Sequence, residues 1–372
     1  MLLADSLIRF LQRLSLILLL TTISIPLWYG STNSQYIFIR VVHSLLTVKH
    51  SFISDATRPT LSTEFRAFEN LIRIRPIPKY DPLADALTLL KDMRTKSVIS
   101  DLIPKPSQCR IAEEIFEHNG HSVETYWIDN SIRKSRKHSD KLFLFLHGGG
   151  YLIGNIHSYS GFECELSRIF NGTILHVEYR LSPEHLVPAA VKDTVSVYQS
   201  LLRQNILPSQ IILIGDSAGG GLALLTVQTL IAQNEQLPCG VIVLSPWTDL
   251  SASGDSFHRN READLLFTHD DVRWVTAQVL NLNQSANDPH YSPLFGSFKG
   301  FPPMYINVGT SELLYDDSKR VFLKAKEAYV NVTFEEGLHM MHIYPIFFSF
   351  FPEAQITLNN INRWIQRLSQ GN

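Results

Sequence analysis

The chain has 372 residues, 45% of them hydrophobic, and carries 33 Lys and Arg against 35 Asp and Glu, for a formal net charge of −2. That is apolar material for one large globular domain, and the near-neutral balance excludes a general attraction for nucleic acid or anionic lipid. Cys109, Cys164 and Cys239 are too far apart for a disulfide framework, though one bridge stays open, and no paired spacing suggests a metal.

Residues 14–29, LSLILLLTTISIPLWY, carry no charge and follow Arg9 and Arg13. The stretch is short for a free-standing membrane helix, and no small-x-small cleavage site follows it. A retained signal anchor is expected within residues 1–50, giving membrane association through 14–29 and placing residues 51–372 on the luminal or extracytoplasmic side. The alternative is that residues 1–50 form ordinary helices against the main domain. Tyr36 to Val48 is apolar but broken by Arg40 and His43, and reads as an interfacial or cap-packing helix. The sequons at Asn171, Asn283 and Asn331 matter only in a eukaryotic secretory host.

Short apolar runs near 123–128, 142–146, 174–178, 211–214, 241–244 and 304–308 read as strands, with a further one at Val332 to Phe334. Helices are expected around 158–170, 189–204, 218–233, 318–329 and 353–368. Fully apolar strands alternating with helices give an α/β fold with a mostly parallel sheet, its site beyond the carboxyl ends of the strands. The basic run at Arg133 to Lys137 reads as a solvated loop. Two segments fall outside the rhythm, about 56–95 and 249–291, and together are expected to form a small helical cap. Its Phe257, Leu265, Leu266, Phe267 and Trp274 are candidates for a pocket lining as well as for the cap's own core.

The run at 142–146 ends in His147, Gly148, Gly149, Gly150 and Tyr151. Successive glycines let backbone N–H groups approach a developing oxyanion, so Gly149 and Gly150 are candidate donors, while His147 reads as a loop-bracing residue. The next candidate is Ile211 to Gly221, where a strand runs into Gly215-Asp216-Ser217-Ala218-Gly219 and on into a helix. This G-x-S-x-G turn exposes Ser217 as a nucleophile, and the amide of Ala218 joins the oxyanion donors. Asp216 belongs to the turn and points away from the serine. Asp249, after Pro246-Trp247, reads as a helix or loop cap.

In this kind of fold an acid and then a histidine follow the serine. Met304 to Gly309 leads into Thr310-Ser311-Glu312-Leu313-Leu314-Tyr315-Asp316-Asp317, and the last strand leads to His339 and His342. Pattern alone does not choose between the two histidines. Asp316 and Asp317 are well explained as first-turn residues of a helix, whereas Glu312 has no such explanation. All three stay open as the acid, with Glu312 preferred.

The stretch VEYRLSPEHLVPAA at Val177 to Ala190, together with HGGG, GDSAGG, SPWTDLSASGDS and YSPLF, resembles the hormone-sensitive-lipase-like branch of the α/β-hydrolases, over roughly Arg58 to Leu368. The resemblance implies Ser217 as nucleophile and His342 as general base. The branch's usual Asp-Pro-Leu triplet is replaced here by Glu312-Leu313-Leu314. It also assigns Tyr179, Arg180, Pro183, Glu184 and His185 a bracing role. The expected activity is hydrolysis of small hydrophobic carboxylic esters of short to medium acyl length, with no cofactor. Amide deacetylation or lactone opening by the same triad, and a ligand-binding receptor on a retired hydrolase scaffold, are the alternatives.

Overall fold

The computed structural model describes residues 34–74, 86–95, 102–118, 121–130 and 141–370. The apolar segment 14–29 and the basic run 133–137 lie outside these residues, and among them no helix is long and apolar enough to cross a membrane.

Eight strands form one sheet among the described residues: β1 (Arg110–His118), β2 (His121–Asp129), β3 (Leu142–Leu146), β4 (Thr173–Val177), β5 (Ile211–Asp216), β6 (Gly240–Leu244), β7 (Met304–Gly309) and β8 (Val332–Gly337). Their spatial order is β1-β2-β4-β3-β5-β6-β7-β8. The pairs β1–β2 and β2–β4 are antiparallel and the others parallel. Strands β3, β5, β6 and β7 are buried along their whole length, as their unbroken apolar sequences require when helices cover both faces.

The helices among the described residues are α1 (Ser34–Ser51), α2 (Thr63–Ile74), α3 (Ala86–Thr95), α4 (Ile156–Phe170), α5 (Pro188–Arg203), α6 (Ser217–Ala232), α7 (Ser256–Arg259), α8 (His269–Val279), α9 (Tyr315–Glu327) and α10 (Pro352–Gln370). Alternation along β3 divides the core. Leu142, Leu144 and Leu146 join the cluster that holds the apolar residues of α5 and α6, and Phe143 and Phe145 join the one that holds those of α4 and α10. Local chemistry sets the helix ends. Asn155 accepts from the Ser158 amide at the start of α4, and Asn171 closes that helix in the left-handed conformation. Thr268 and Asp271 form a reciprocal capping box on α8.

Strand β1 had no counterpart in the sequence reading. Its pattern, RIAEEIFEH, is too polar for a central strand, and it lies at the sheet edge paired only with β2. Cys164 of α4 is bonded to Cys109, just before β1, so one bridge ties this edge to the helical layer.

Helix α1 packs against the body of the protein. Tyr36, Ile39 and His43 are buried, and the two polar residues that interrupt its apolar run each have a partner. Arg40 donates to the Ser349 carbonyl and lies over the Phe350 ring, while the His43 ring meets Phe350 edge-on at 5.2 Å and reaches the Glu64 carbonyl at 2.9 Å. Burial pulls the His43 pKa down to about 4, so it packs as a neutral aromatic ring. On the neighbouring α2, Phe65 and Phe68 pack into Phe347, Phe350 and Phe351.

The bridge closes a loop whose ends are 55 residues apart. On chain-entropy grounds its loss costs about 4 kcal/mol. Replacing Cys109 and Cys164 by Ser should therefore lower the chemical denaturation midpoint, and adding reductant to the unsubstituted protein should reproduce the shift.

Candidate active site

Four loops at the carboxyl ends of β3, β5, β7 and β8 converge, with the loop after β6 beneath them. Strand β5 turns into α6 at Ser217, whose φ of 51° is in the left-handed region, the strained geometry of a nucleophile elbow. The turn holds because a glycine sits where a side chain has no room. A Cβ on Gly219 would lie 2.0 Å from the Leu146 carbonyl oxygen. The start of α6 therefore lies directly against the end of β3, where the glycine-rich loop begins. On the far side of the elbow the Trp247 amide donates to the Ser217 carbonyl at 2.8 Å.

In the glycine loop, Gly149 and Gly150 have φ of 111° and 65°, which brings bare backbone toward the elbow. Among the described residues their amides donate to no other group. The Ala218 amide is in the first turn of α6, where helical N–H groups have no partner within the helix. Asp216 braces this arrangement from below. Its Oδ1 accepts from the Gly148 amide at 2.9 Å and its Oδ2 is 3.0 Å from the Tyr159 hydroxyl. Burial pushes the Asp216 pKa up to about 7, against the downward pull of Tyr159 and the Gly148 amide.

The loops after β7 and β8 bring Glu312 and His342 together, with Nδ1 3.3 Å from Oε1 and both side chains buried. The other carboxylate oxygen, Oε2, accepts from Ser245 Oγ at 2.8 Å and from the Gly309 amide at 3.1 Å. Ser245 Oγ also accepts from the Ile343 amide at 3.0 Å, so one hydroxyl connects the acid loop to the histidine loop. On the opposite side of the ring, His342 Nε2 is buried with no hydrogen-bond partner among the described residues. Burial is the largest influence on this imidazole and disfavours its charge, but Glu312, then Asp264 and Asp216, outweigh it and raise its pKa above the ordinary value.

Asp316 and Asp317 are occupied elsewhere. Asp316 accepts from the Ser256 amide and pairs with Arg259, while Asp317 accepts from the Thr248 and Asp249 amides at 2.7 and 2.8 Å. His339 has φ of 61°, and its amide donates to Thr310 Oγ1. Asp249 caps its own loop through the Ser251 and Ser253 amides and pairs with Arg320. The bracing set is tied down as well. Arg180 pairs with Asp193, Glu184 with Arg94, and the Tyr179 hydroxyl donates to the His147 carbonyl at 2.6 Å.

Two contributors were missed in the sequence. Ser245 was legible only as part of SPWTDL. Asp264, in the segment expected to form a cap, accepts from the Leu313 amide at 2.7 Å and from the amides of Leu266 and Phe267. It thereby holds a tight turn that presents Phe267 edge-on to the His342 ring at 5.2 Å. Farther along, α8 lies over the glycine loop, where a Cβ on Gly150 would come within 2.9 Å of Val275 Cγ1. On the other flank, Arg94 of α3 donates to the Leu152 and Ser182 carbonyls. Among the described residues no cluster of His, Cys, Asp or Glu has the arrangement of a metal site.

The raised Asp216 pKa has a measurable consequence. A carboxyl that binds its proton more tightly when folded adds stability below its ordinary value of 3.8, and that contribution is lost as pH rises through about 7. Asp216→Asn should abolish this component, so the difference in unfolding free energy between the unsubstituted protein and the variant should fall as pH rises from 4 to 8; a difference that stays flat over that range would refute it.

The sequence matches the family described as having the alpha/beta hydrolase fold over residues 143–346. An esterase of Acinetobacter venetianus is 35% identical over 228 residues, covering 61% of this chain and 75% of the relative. An acetyl-hydrolase of Streptomyces hygroscopicus is 34% identical over 227 residues, covering 60% and 74%. Among solved structures, an esterase from the bacterial hormone-sensitive lipase family superposes with a TM-score of 0.72 at 31% identity, covering 83% of this chain and 99% of the other. With the family match spanning more than half of the sequence and the strand order and loops in place, the chain belongs to the α/β-hydrolase fold family, in its hormone-sensitive-lipase-like branch.

Proposed function

We propose that this protein hydrolyses esters by two-step acyl transfer through Ser217, His342 and Glu312. The protein is a carboxylic ester hydrolase of the serine type. The observation that carries the residue roles is the buried Glu312–His342 pair, which leaves Nε2 as the ring nitrogen without a partner among the described residues, together with the left-handed φ of 51° at Ser217 where β5 turns into α6.

His342 Nε2 takes the Ser217 proton as Oγ attacks the ester carbonyl carbon, and Glu312 holds the ring with its proton on Nδ1. The carbonyl π electrons move onto oxygen, which the amides of Gly149, Gly150 and Ala218 stabilise. Collapse of this intermediate expels the alcohol, protonated by His342. Water then gives a proton to the same nitrogen, attacks the acyl-enzyme, and releases the acid with the serine restored. Short acyl groups, acetyl among them, are the proposed substrates, by analogy with the Streptomyces acetyl-hydrolase. Phe267, edge-on to His342, is proposed as one wall of the substrate site.

We also propose that the catalytic domain faces an oxidising compartment, anchored through residues 14–29. The Cys109–Cys164 bridge supports this, as do the exposed positions of Asn171, Asn283 and Asn331.

Turnover of p-nitrophenyl esters of increasing acyl length is the direct test, using a fragment that begins near residue 31 so that α1 is kept. Ser217→Ala should abolish turnover. Glu312→Gln should lower kcat by about 10³–10⁴. It should also move the acid limb of kcat/KM downward by about one pH unit or more, because the charge that holds the His342 pKa up is gone. Asp316→Asn should leave the acid limb where it is. A limb that shifts with Asp316 and stays put with Glu312 would reassign the acid.

A further inference from the structure

Beneath the glycine loop lies a buried ionic cluster that the acyl-transfer steps do not use. His176, in the fully buried part of β4, donates from Nδ1 to Glu163 of α4 at 2.7 Å and from Nε2 to Glu178 at 2.8 Å. His176 and Glu163 are completely buried, and Glu163 Oε2 has no partner among the described residues. Glu178 Oε2 also accepts from the Ile156 amide at the start of α4, where the helix dipole favours a carboxylate. Burial works against a charge on His176, but its two carboxylates reverse that and hold its pKa up at about 10. Buried ion clusters contribute little net stability compared with apolar packing, so stability alone does not explain this one.

Its neighbours suggest what it does. The His147 ring lies parallel to His176, with centroids 5.4 Å apart and planes 10° apart, and Tyr179 stacks on the other side of His147 at 4.2 Å. Phe145, opposite His176 in the β3–β4 register, and Tyr126, edge-on from β2, enclose the rest of the His176 ring. His147 Nδ1 is 2.7 Å from the Gly148 carbonyl oxygen, which can only accept, so this nitrogen carries the proton. In a planar trans peptide the C=O of one residue and the N–H of the next point in opposite directions. Fixing the Gly148 carbonyl toward His147 therefore fixes the Gly149 N–H away from it.

We infer that Glu163, His176 and Glu178 are positioning residues for the oxyanion hole: by clamping the His176 ring from both nitrogens they fix the plate on which His147 stacks, and His147 in turn aims the Gly149 amide. The inference rests on the proposed role of Gly149 as an oxyanion donor. None of the three residues touches the substrate. Their effect belongs to the transition state, where the negative charge develops, and should leave ground-state binding alone.

The test uses the full chain and two variants. His176→Phe with Glu163→Leu keeps an aromatic plate and orphans no charge at either position, and Glu163→Gln retains an acceptor for His176 Nδ1. Rates are normalised to active sites titrated by the p-nitrophenol burst, so that misfolded protein drops out. Affinity is measured for a trifluoromethyl ketone, which adds Ser217 Oγ to its carbonyl carbon and places an oxyanion in the hole. The double variant should lose roughly ten- to a hundredfold in kcat with KM within about twofold, weaken the trifluoromethyl ketone by the same factor as kcat/KM, and Glu163→Gln should recover most of the rate. A lowered melting temperature with kcat per site and inhibitor affinity unchanged would overturn the proposal and leave a purely structural cluster. If the unsubstituted enzyme does not prefer the trifluoromethyl ketone over the matching methyl ketone, the oxyanion reading itself fails, and the proposal with it.

Discussion

The site depends on one close approach. The end of β3 and the first turn of α6 meet across a gap that admits a hydrogen at Gly219 and nothing larger. Because strand and helix touch there, the glycine loop that leaves β3 and the serine that opens α6 share one small volume, and amides separated by about seventy residues of sequence can face one oxygen. Asp216 spans the same junction, taking the Gly148 amide on one oxygen and meeting the Tyr159 hydroxyl with the other. It sits beside Ser217, the proposed nucleophile, in sequence and beneath the glycine loop in space, so it couples the two halves of the proposed machinery.

Glu312 and His342, the proposed acid and base, depend on a second junction of a different kind. Their loops leave adjacent parallel strands, β7 and β8, and are joined by polar links: Ser245 Oγ between Glu312 and the Ile343 amide, and the Ser311 amide on the Met340 carbonyl. The turn at Asp264 adds a third party, since the carboxylate that holds Phe267 beside His342 also holds the amide next to Glu312. Here the segment that carries Asp264 and the loops of Glu312 and His342 form one hydrogen-bonded unit.

Much of this was legible in the sequence because the relevant signals are local. An apolar run ending in glycines announces a strand and a tight turn, and the central strands were located to within a residue or two for that reason. Glu312 stood out because its acidic neighbours had a helix terminus to explain them, and both do serve as first-turn residues of α9. What stayed hidden was non-local. Strand β1 is half polar because it lies at the edge, and Arg40 looked like a break in an apolar helix because its partners, Ser349 and Phe350, come some three hundred residues later. The pairing of Glu163 with His176 left no trace, since it takes one residue from a helix and one from a strand whose spacing carries no motif.

The Cys109–Cys164 bond also changes what a break in the chain does. It joins the segment before β1 to the middle of α4, and the intervening stretch contains the basic run Arg133, Lys134, Arg136 and Lys137, which is rich in sites for trypsin-like proteases. Hydrolysis of a peptide bond there would divide the polypeptide into two pieces yet leave them covalently one molecule, with the edge hairpin's first strand still held against its sheet. In a protease-rich setting such a nicked enzyme would run as a single species until reduced. The bond thus keeps the molecule in one piece across a stretch dense in such cleavage sites.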